Sequence, residues 1–372
     1  MTVCRYFSAA SLMMVASLAP PPTFFAFGAM SGSFDDGGGT LYIAQISPFG
    51  NPSLSPATKT TGEAAVVVVS SPESDPNSSA SSIMVSFSGY LSSASAQSPP
   101  SAAGNSETSS SSSPSYIHSG TSCESVEAQG NPMYQLSHDR TNYTLGEIEG
   151  TIFGDDMDDI SAVDGRAFVV YNSNSERSGC GILKEAGTKS MLEDGGFKKY
   201  QAETEPLTDL GTTSKLTVYA NDMSGIVHVR GKAINLETNL QNAMYPNEGN
   251  NCTAKNGCGA HIHGGYSCES KMTQGGHYFE KDSDPWKHVG YSSTDASGTA
   301  TFLHTVHIAS SNITNRVFHI HADDGSRISC GPLLPAEKAK DFDPVESAAH
   351  TLNSCCFVSA FFVTFIVSNL LF

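Results

Sequence analysis

The sequence predicts an all-β protein that contains two copies of one domain. Charged residues make up only 15% of the 372 residues, and Gly, Ser, Asn and Thr are plentiful, a mixture typical of short strands joined by polar turns. The hydrophobic content of 39% is sufficient for more than one core. A motif near residue 120 returns near residue 265, which indicates a duplication.

The two ends of the chain predict export and tethering at a membrane. Residues 1–28 carry one early cation, Arg5, and then an apolar run before a proline cluster, as secretory signals do. Residues 355–372 are almost wholly apolar, which favours either a C-terminal membrane helix or the removable part of a lipid-anchor signal. Residues 336–354 form the predicted stalk. The net charge of -17 argues against nucleic acid as a partner.

Cysteines and sequons agree with this location. Three of the nine cysteines fall in the signal or the tail, and the remaining even number predicts three disulfides in an oxidising compartment. Two of them, Cys252 and Cys258, lie close enough to pair with each other. Four sequons predict a glycoprotein. The six cysteines are Cys123, Cys180, Cys252, Cys258, Cys268 and Cys330.

The first predicted domain covers residues 37–183. Its strands are expected at 40–44, 64–69 and 83–87, where alternating or β-branched residues are bounded by Pro, Ser and Gly. Residues 92–115 are nearly all Ser, Ala, Pro and Gly, and this segment has too little apolar surface to order itself. We therefore expect a long flexible loop inside the first domain.

The second predicted domain covers residues 213–335, after a Lys-, Glu- and Gly-rich linker at 184–212. Two segments align with the first domain without a gap. Tyr116–Ser125 lies over His261–Ser270, and Arg166–Gly181 lies over Arg316–Gly331. The sequence is therefore a tandem repeat.

The second copy contains a candidate metal cluster. His261 and His263 are two residues apart on a predicted strand, so both imidazoles face the same side while Ile262 packs behind them. His277 and His321 follow. In the first copy, Tyr116, Pro132 and Tyr171 replace three of these histidines and only His118 keeps its imidazole, so we expect that copy to have lost the metal. The four predicted ligands are His261, His263, His277 and His321.

The order of these motifs resembles the Cu/Zn superoxide dismutase family. The pattern is His-x-His, Cys, Gly-x-His-aromatic, His-Val-Gly, His, and Gly-Ser-Arg-x-x-Cys-Gly, and it covers residues 215–335 well and 37–183 in degenerate form. The resemblance implies two Greek-key β-sandwich or barrel domains. It also makes the four histidines copper ligands, with His277 in the metal-bridging position.

Further roles follow from the same resemblance. Arg327 matches the substrate-guiding arginine and, with His277, is expected to be catalytic. Cys268 and Cys330 match the intrasubunit disulfide, and Cys123 with Cys180 are their counterparts in the first copy. The implied substrate is superoxide, which is disproportionated to O2 and H2O2.

The sequence departs from the family at the zinc site. Only His288 matches a further zinc ligand, Tyr291 stands in place of the aspartate, and the long charged loop between His321 and Arg327 is missing. These losses resemble the copper-only superoxide dismutases, which are extracellular and often lipid-anchored. We therefore expect copper with weak or no zinc binding, and His288 as a residual ligand at most.

Several assignments stay open at the level of sequence. Glu280, Asp282 and Asp284 are all candidates to orient and protonate His277. The repeat favours His321 over His319 as the ligand, because Tyr171 aligns with His321. The alternative function is a non-enzymatic surface or wall module that binds copper or serves adhesion. Trp286 is expected to pack at a turn, and three further histidines are expected to be exposed on strands: His228, His304 and His307.

Overall fold

A computed structural model provides the structure, and the residues it describes are 39–49, 59–70, 83–93, 115–136, 140–142, 147–154, 163–172, 174–238, 253–254, 258–289 and 294–339. The predicted signal, the C-terminal tail, most of the stalk and most of the Ser-rich loop lie outside these residues. None of the helices in the described part of the chain has the length and apolar composition needed to cross a bilayer.

The first sheet is antiparallel throughout and has the strand order β5-β4-β8-β9-β1-β2-β3-β7-β6, with β10 paired to β1. One helical turn, α1 (Val126–Gln129), lies between β4 and β5. The strands are β1 (Thr40–Pro48), β2 (Thr60–Ser70), β3 (Ile83–Ser93), β4 (Ser115–His118), β5 (Pro132–Leu136), β6 (Arg140–Asn142), β7 (Glu147–Gly154), β8 (Ala167–Tyr171), β9 (Arg177–Ile182) and β10 (Lys184–Glu185).

The second sheet is also antiparallel and has the order β14-β16-β17-β11-β12-β13-β15, with β18 paired to β11. Its short helices are α2 (Lys271–Gln274), a 3-10 turn at Pro285–His288, and α3 (Ala336–Ala339). The strands are β11 (Phe197–Pro206), β12 (Thr213–Asn221), β13 (Ile226–Ile234), β14 (Gly259–Ile262), β15 (Ala300–His307), β16 (Val317–His321), β17 (Arg327–Pro332) and β18 (Leu334–Pro335).

The all-β fold class with two domains is confirmed. Strands β4-β8-β9-β1-β2-β3-β7 of the first sheet follow the same order as β14-β16-β17-β11-β12-β13-β15 of the second. The two copies also share a register shift between their last two paired strands, at Val170/Tyr171 in one and at Ile320/His321 in the other. The duplication seen in the sequence is therefore also a duplication of topology.

The second sheet begins inside the predicted linker. Residues 197–206, placed in the linker, form the first strand of the second sheet. This strand pairs with β12 from Phe197 to Thr204 and with β17 at Glu205 and Pro206. It therefore joins the two layers of the second domain, one formed by β11-β12-β13-β15 and the other by β14-β16-β17. Its sequence, FKKYQAETEP, buries only every second or third side chain, and its many charged residues conceal the strand pattern.

The core of the second domain lies between the two layers that β11 joins. Leu216, Val218 and Val229 of one layer meet Ile262 and Phe318 of the other, and all five are fully buried. Trp286 lies in the same core and donates from Nε1 to the Tyr278 carbonyl at 2.7 Å, which confirms its expected packing role. This core fixes the strands that carry the histidines.

The two domains share an apolar contact with polar groups at its edge. Leu41, Ile43 and Val67 of the first sheet cluster with Phe197 and Tyr219 of the second. Beside them, the first domain covers the outer faces of β13 and β15. These strands are therefore buried on both faces for much of their length.

A buried carboxylate holds the two domains together. Glu63 is only 2% exposed and accepts hydrogen bonds from Asn221 Nδ2 at 2.6 Å and Ser224 Oγ at 2.9 Å. His228 Nε2 lies 2.8 Å from its other oxygen. Nearby, the Thr305 amide donates to Ser88 Oγ at 2.7 Å.

The expectation that His228, His304 and His307 are exposed is wrong. His228 is fully buried and His304 is 1% exposed, while His307 is half-buried against the ring of Tyr90. His228 and His307 lie on the outer face that the first domain covers. His304 alternates with Phe302 and Val306, which belong to the core, so it faces the interior.

Two disulfides are observed in the described chain, Cys123–Cys180 and Cys268–Cys330, with Cα separations of 5.7 and 5.8 Å. Cys258 is also disulfide-bonded, and Cys252 lies outside the described residues. The disulfides indicate an oxidising, secretory or extracellular environment.

Replacing Glu63 should weaken the contact between the domains. In Glu63→Ala, the buried donors of Asn221, Ser224 and His228 lose their acceptor, and we expect the free energy of unfolding to fall by about 3 kcal/mol. Denaturant titration measures the change. The exposed pair Lys215–Glu203, at 3.1 Å, provides the control. Glu203→Ala should cost less than about 1 kcal/mol, and an equal loss in both variants would contradict the assigned role of Glu63.

The same contact should respond to acid through His307. Burial and then the Lys281 charge lower the pKa of His307 to about 4, whereas an unfolded histidine has a pKa of about 6.5. As pH falls from 6.5 towards 4, His307 binds a proton in the unfolded chain but not in the folded chain. The free energy of unfolding therefore falls. Melting temperatures at pH 7 and pH 5 should therefore differ more for the parent chain than for His307→Gln. The groups facing His307 are Lys281 and Tyr90, and Glu63 acts on it at longer range.

Candidate metal centre

Strand β14 and the residue after it place the first two histidines. His261 is fully buried and His263 is 1% exposed, while Ile262 between them packs into the core, as the alternation predicted. His263 forms an isolated bridge with His277. Strand β16 pairs with β14 and ends at His321, which places the fourth imidazole beside the other three.

The four predicted ligands meet in one cluster. One ligand atom from each of His261, His263, His277 and His321 lies within 4.8 Å of the corresponding atoms of the others. This group can hold a metal ion. The choice of His321 over His319 also agrees with the cluster, which includes the first and excludes the second.

Backbone carbonyls fix which nitrogen each ring offers. His263 Nδ1 lies 3.1 Å from the Gly275 oxygen, and His321 Nδ1 lies 3.0 Å from the Gly325 oxygen. A carbonyl only accepts, so both Nδ1 atoms carry the proton and both Nε2 atoms present a lone pair. These two Nε2 atoms are 3.1 Å apart. Two facing lone pairs repel each other, and a cation between them removes the repulsion.

His261 uses the opposite nitrogen. Its Nε2 donates to the Val289 carbonyl at 2.6 Å, and its Nδ1 is buried without a hydrogen-bond partner. An unpartnered buried acceptor is costly, and metal coordination satisfies it. The orphaned atom is therefore a second, independent sign that the cluster is built for an ion.

Asp284 orients the fourth imidazole. Its Oδ2 accepts from His277 Nδ1 at 2.8 Å, and its Oδ1 accepts from the Trp286 amide at 2.9 Å, which caps the 3-10 turn that follows. His277 Nε2 is thereby left for the metal. Of the three acidic candidates named from the sequence, Asp284 makes this contact. Glu280 instead accepts from the Tyr278 hydroxyl at 3.1 Å.

Burial keeps these rings in the neutral form that binds metals. It lowers the pKa of His261 far below its usual range, and the neighbouring imidazoles lower it further. The pKa of His263 falls for the same two reasons. Burial brings the pKa of His321 to about 4, although its bond to Gly325 acts in the opposite direction. At these three rings, therefore, no proton competes with an ion near neutral pH.

Arg327 lines the cleft above the cluster together with His263, His277 and His321. Its guanidinium is held by the Lys271 carbonyl at 3.2 Å, by Gln274 Oε1 at 2.8 Å and by the Gly275 carbonyl. Arg327 therefore fixes the C-terminal end of α2. The carbonyl of Gly275, the residue that follows this helix, also holds His263.

Arg177 makes the matching contacts in the first copy, with the Val126 carbonyl at 2.9 Å and Gln129 Oε1 at 2.6 Å. Because this copy has no histidine cluster among its described residues, the arginine has a structural role that does not depend on metal. The substrate-guiding role expected for Arg327 stays a prediction.

In the first copy, the hydroxyl group of Tyr171 fills the position that corresponds to the histidine cluster. Tyr171 OH lies 3.2 Å from His118 Nε2 and accepts from Arg177 Nε at 3.2 Å, while His118 Nδ1 lies 3.0 Å from the Gly130 oxygen. His118 thus keeps the orientation of His263, but a hydroxyl satisfies its Nε2. No polar atom of these three side chains is left for an ion to satisfy.

A cleft of about 1360 Å³ opens above the cluster. Its charged lining comprises the cations Lys271, Lys287 and Arg327 and the carboxylates Glu269, Asp282, Asp284 and Asp324. Lys281 points elsewhere, to Tyr90 OH at 3.3 Å and to His307 Nδ1 at 3.2 Å.

The structure describes the backbone of His288, the expected residual zinc ligand, but not its side chain. This residue ends the 3-10 turn. The Asp284 carboxylate accepts the hydrogen bond of His277 Nδ1, so this nitrogen is not available to a second metal ion.

Comparison with known proteins adds no assignment. No protein-family model matches the chain, and no curated protein matches its sequence. The cluster and the contrast between the two copies are therefore the features from which a function is inferred.

Changing Asp284 should weaken metal binding through the tautomer of His277. In Asp284→Asn, the amide oxygen is needed by the Trp286 cap, so the NH2 group faces His277 Nδ1 and favours the proton on Nε2. We expect metal affinity to fall about 10- to 100-fold, as measured by competition with a chelator. Asp282→Asn, on the same cleft, is the matched control and should change the affinity less than about twofold. Equal losses would point to a general charge effect.

Proposed function

We propose that the second domain is a copper-dependent superoxide dismutase of the copper-only type, which acts outside the cell. The observation that carries this proposal is the convergence of four imidazoles, each with its second nitrogen held by a carbonyl or a carboxylate. The residues were named from the resemblance to that family, and their meeting in one cluster is what the resemblance requires.

The donor set favours copper over zinc. Imidazole suits both ions, but a site of four nitrogens without a carboxylate ligand permits copper to exchange between its two oxidation states. A separate zinc site lacks its aspartate, because Tyr291 stands there. Asp284 also occupies His277 Nδ1, the atom that a bridging histidine would give to zinc.

A copper ion in this site supplies the electron exchange: one superoxide is oxidised to O2, a second is reduced, and two protons complete H2O2. The chain contributes the surroundings. Lys271, Lys287 and Arg327 offer positive charge to a small anion in a cleft that four carboxylates also line. The hydrogen bond between Asp284 and His277 provides a fixed pair through which a proton can reach the cluster.

Tethering at the cell surface belongs to the same proposal. The disulfides agree with an extracellular location. The predicted signal at 1–28 and the apolar tail at 355–372 give the route and the anchor, which is either a membrane helix or a lipid signal.

The whole exported chain is the material for the test, because β11 and the first domain both contact the second domain. We expect about one copper per chain, little zinc, and superoxide decay well above that of metal-free protein. His261→Ala should lose most of the activity and most of the copper, because it removes a ligand from the cluster. Elemental analysis and a superoxide decay assay provide the measurements.

His118→Ala in the first copy is the matched control. His118 aligns with His263 but faces Tyr171 instead of a cluster, so the variant should retain both copper and activity. Stoichiometric copper without activity would overturn the enzyme proposal and favour the copper-binding surface module. Equal binding of zinc would overturn its copper-only form.

A further inference from the structure

A fifth histidine lies beside the four-histidine cluster. His319 is fully buried on β16, two residues before His321 and on the same face of the strand. Its ring centroid is 4.4 Å from that of His263 and 5.9 Å from that of His321. The first copy has Val169 at the matching position, also fully buried.

The hydrogen bonding of His319 follows the pattern of the ligands. Its Nδ1 lies 3.1 Å from the Ser329 carbonyl, so this nitrogen carries the proton and Nε2 presents a lone pair. That Nε2 is buried and has no hydrogen-bond partner. His263 and His321 are held in the same way, with Nδ1 on a carbonyl and Nε2 directed at the cluster.

Packing alone does not account for this histidine. A buried acceptor without a partner destabilises the fold, and the first copy shows that valine fills the same place between the same strands. The second copy thus carries a buried polar atom that destabilises the fold, and a single substitution to valine would remove it. A ligand that binds Nε2 offsets this cost.

His319 is not a fifth member of the compact cluster. The four nitrogens that lie within 4.8 Å of one another do not include it, and it does not line the cleft, whereas His263 and His321 do. His319 therefore adjoins the cluster on the side away from the cleft. The neighbours of its ring in the cluster are His263 and His321, so an ion that His319 helps to hold would share these two ligands.

We propose that His319 is an additional copper-binding imidazole, which with His263 and His321 offers the ion an alternative position on the buried side of the cluster. The reduced ion is the one that takes this position, because Cu(I) accepts fewer ligands than Cu(II) and three imidazoles suffice for it. This inference rests on the proposed copper binding, but it does not require dismutase activity.

The test compares the parent chain with His319→Val, the residue of the first copy. Cu(I) affinity is measured by competition with a chromogenic Cu(I) chelator, and the ligands of the reduced ion by X-ray absorption. We expect Cu(I) affinity to fall about 10-fold or more, whereas the Cu(II) electron paramagnetic resonance spectrum stays unchanged. Metal-free His319→Val should melt at or above the temperature of the metal-free parent.

A second variant guards against misfolding. His319→Gln removes the imidazole but retains an NH2 group that can donate to the Ser329 carbonyl, so it should reproduce the loss of Cu(I) affinity. The proposal is overturned if either folded variant binds Cu(I) within about twofold of the parent, with superimposable absorption spectra. A parent chain that binds no copper overturns both this proposal and the proposed function. Copper binding without activity overturns only the dismutase.

Discussion

Imidazole nitrogens brought together inside a core are the constraint on which the second domain depends. The Nε2 atoms of His263 and His321 lie 3.1 Å apart, and the buried Nδ1 of His261 has no hydrogen-bond partner. Such a centre is unfavourable by itself, because a buried acceptor without a donor is costly. The strands, α2 and the 3-10 turn hold the rings by their other nitrogens, so the chain fixes a site that an ion completes.

The two copies separate the scaffold from the site. Ser125 and Ser270 cap α1 and α2, and the next glycines, Gly130 and Gly275, have φ angles of 71° and 70°, which only glycine adopts readily. The carbonyls of these glycines then hold His118 and His263. The Ser-Cys-Glu-Ser segment and the arginine therefore orient the equivalent histidine, His118 or His263, in both domains.

Much of this could be predicted from the sequence because it is local or repeated. Strand alternation predicted that His261 and His263 face the same side. The comparison of the two copies favoured His321 over His319 as the ligand. Long-range contacts could not be predicted in this way. β11 is too charged to read as a strand, and the burial of His228 results from Glu63, 165 residues away. Asp284 was one of three acidic candidates, and only the fold shows that its carboxylate faces His277.

The phenol of Tyr171 has a consequence for the order in which the chain matures. Because it satisfies His118 with the chain's own atoms, the first domain needs no metal to complete its centre. That domain is also synthesised first and can fold while the rest of the chain is still being translated. The strands of the second domain then emerge next to a finished surface that already presents Glu63 and Tyr90. The degenerate copy thus offers its neighbour a packing surface that does not depend on a metal.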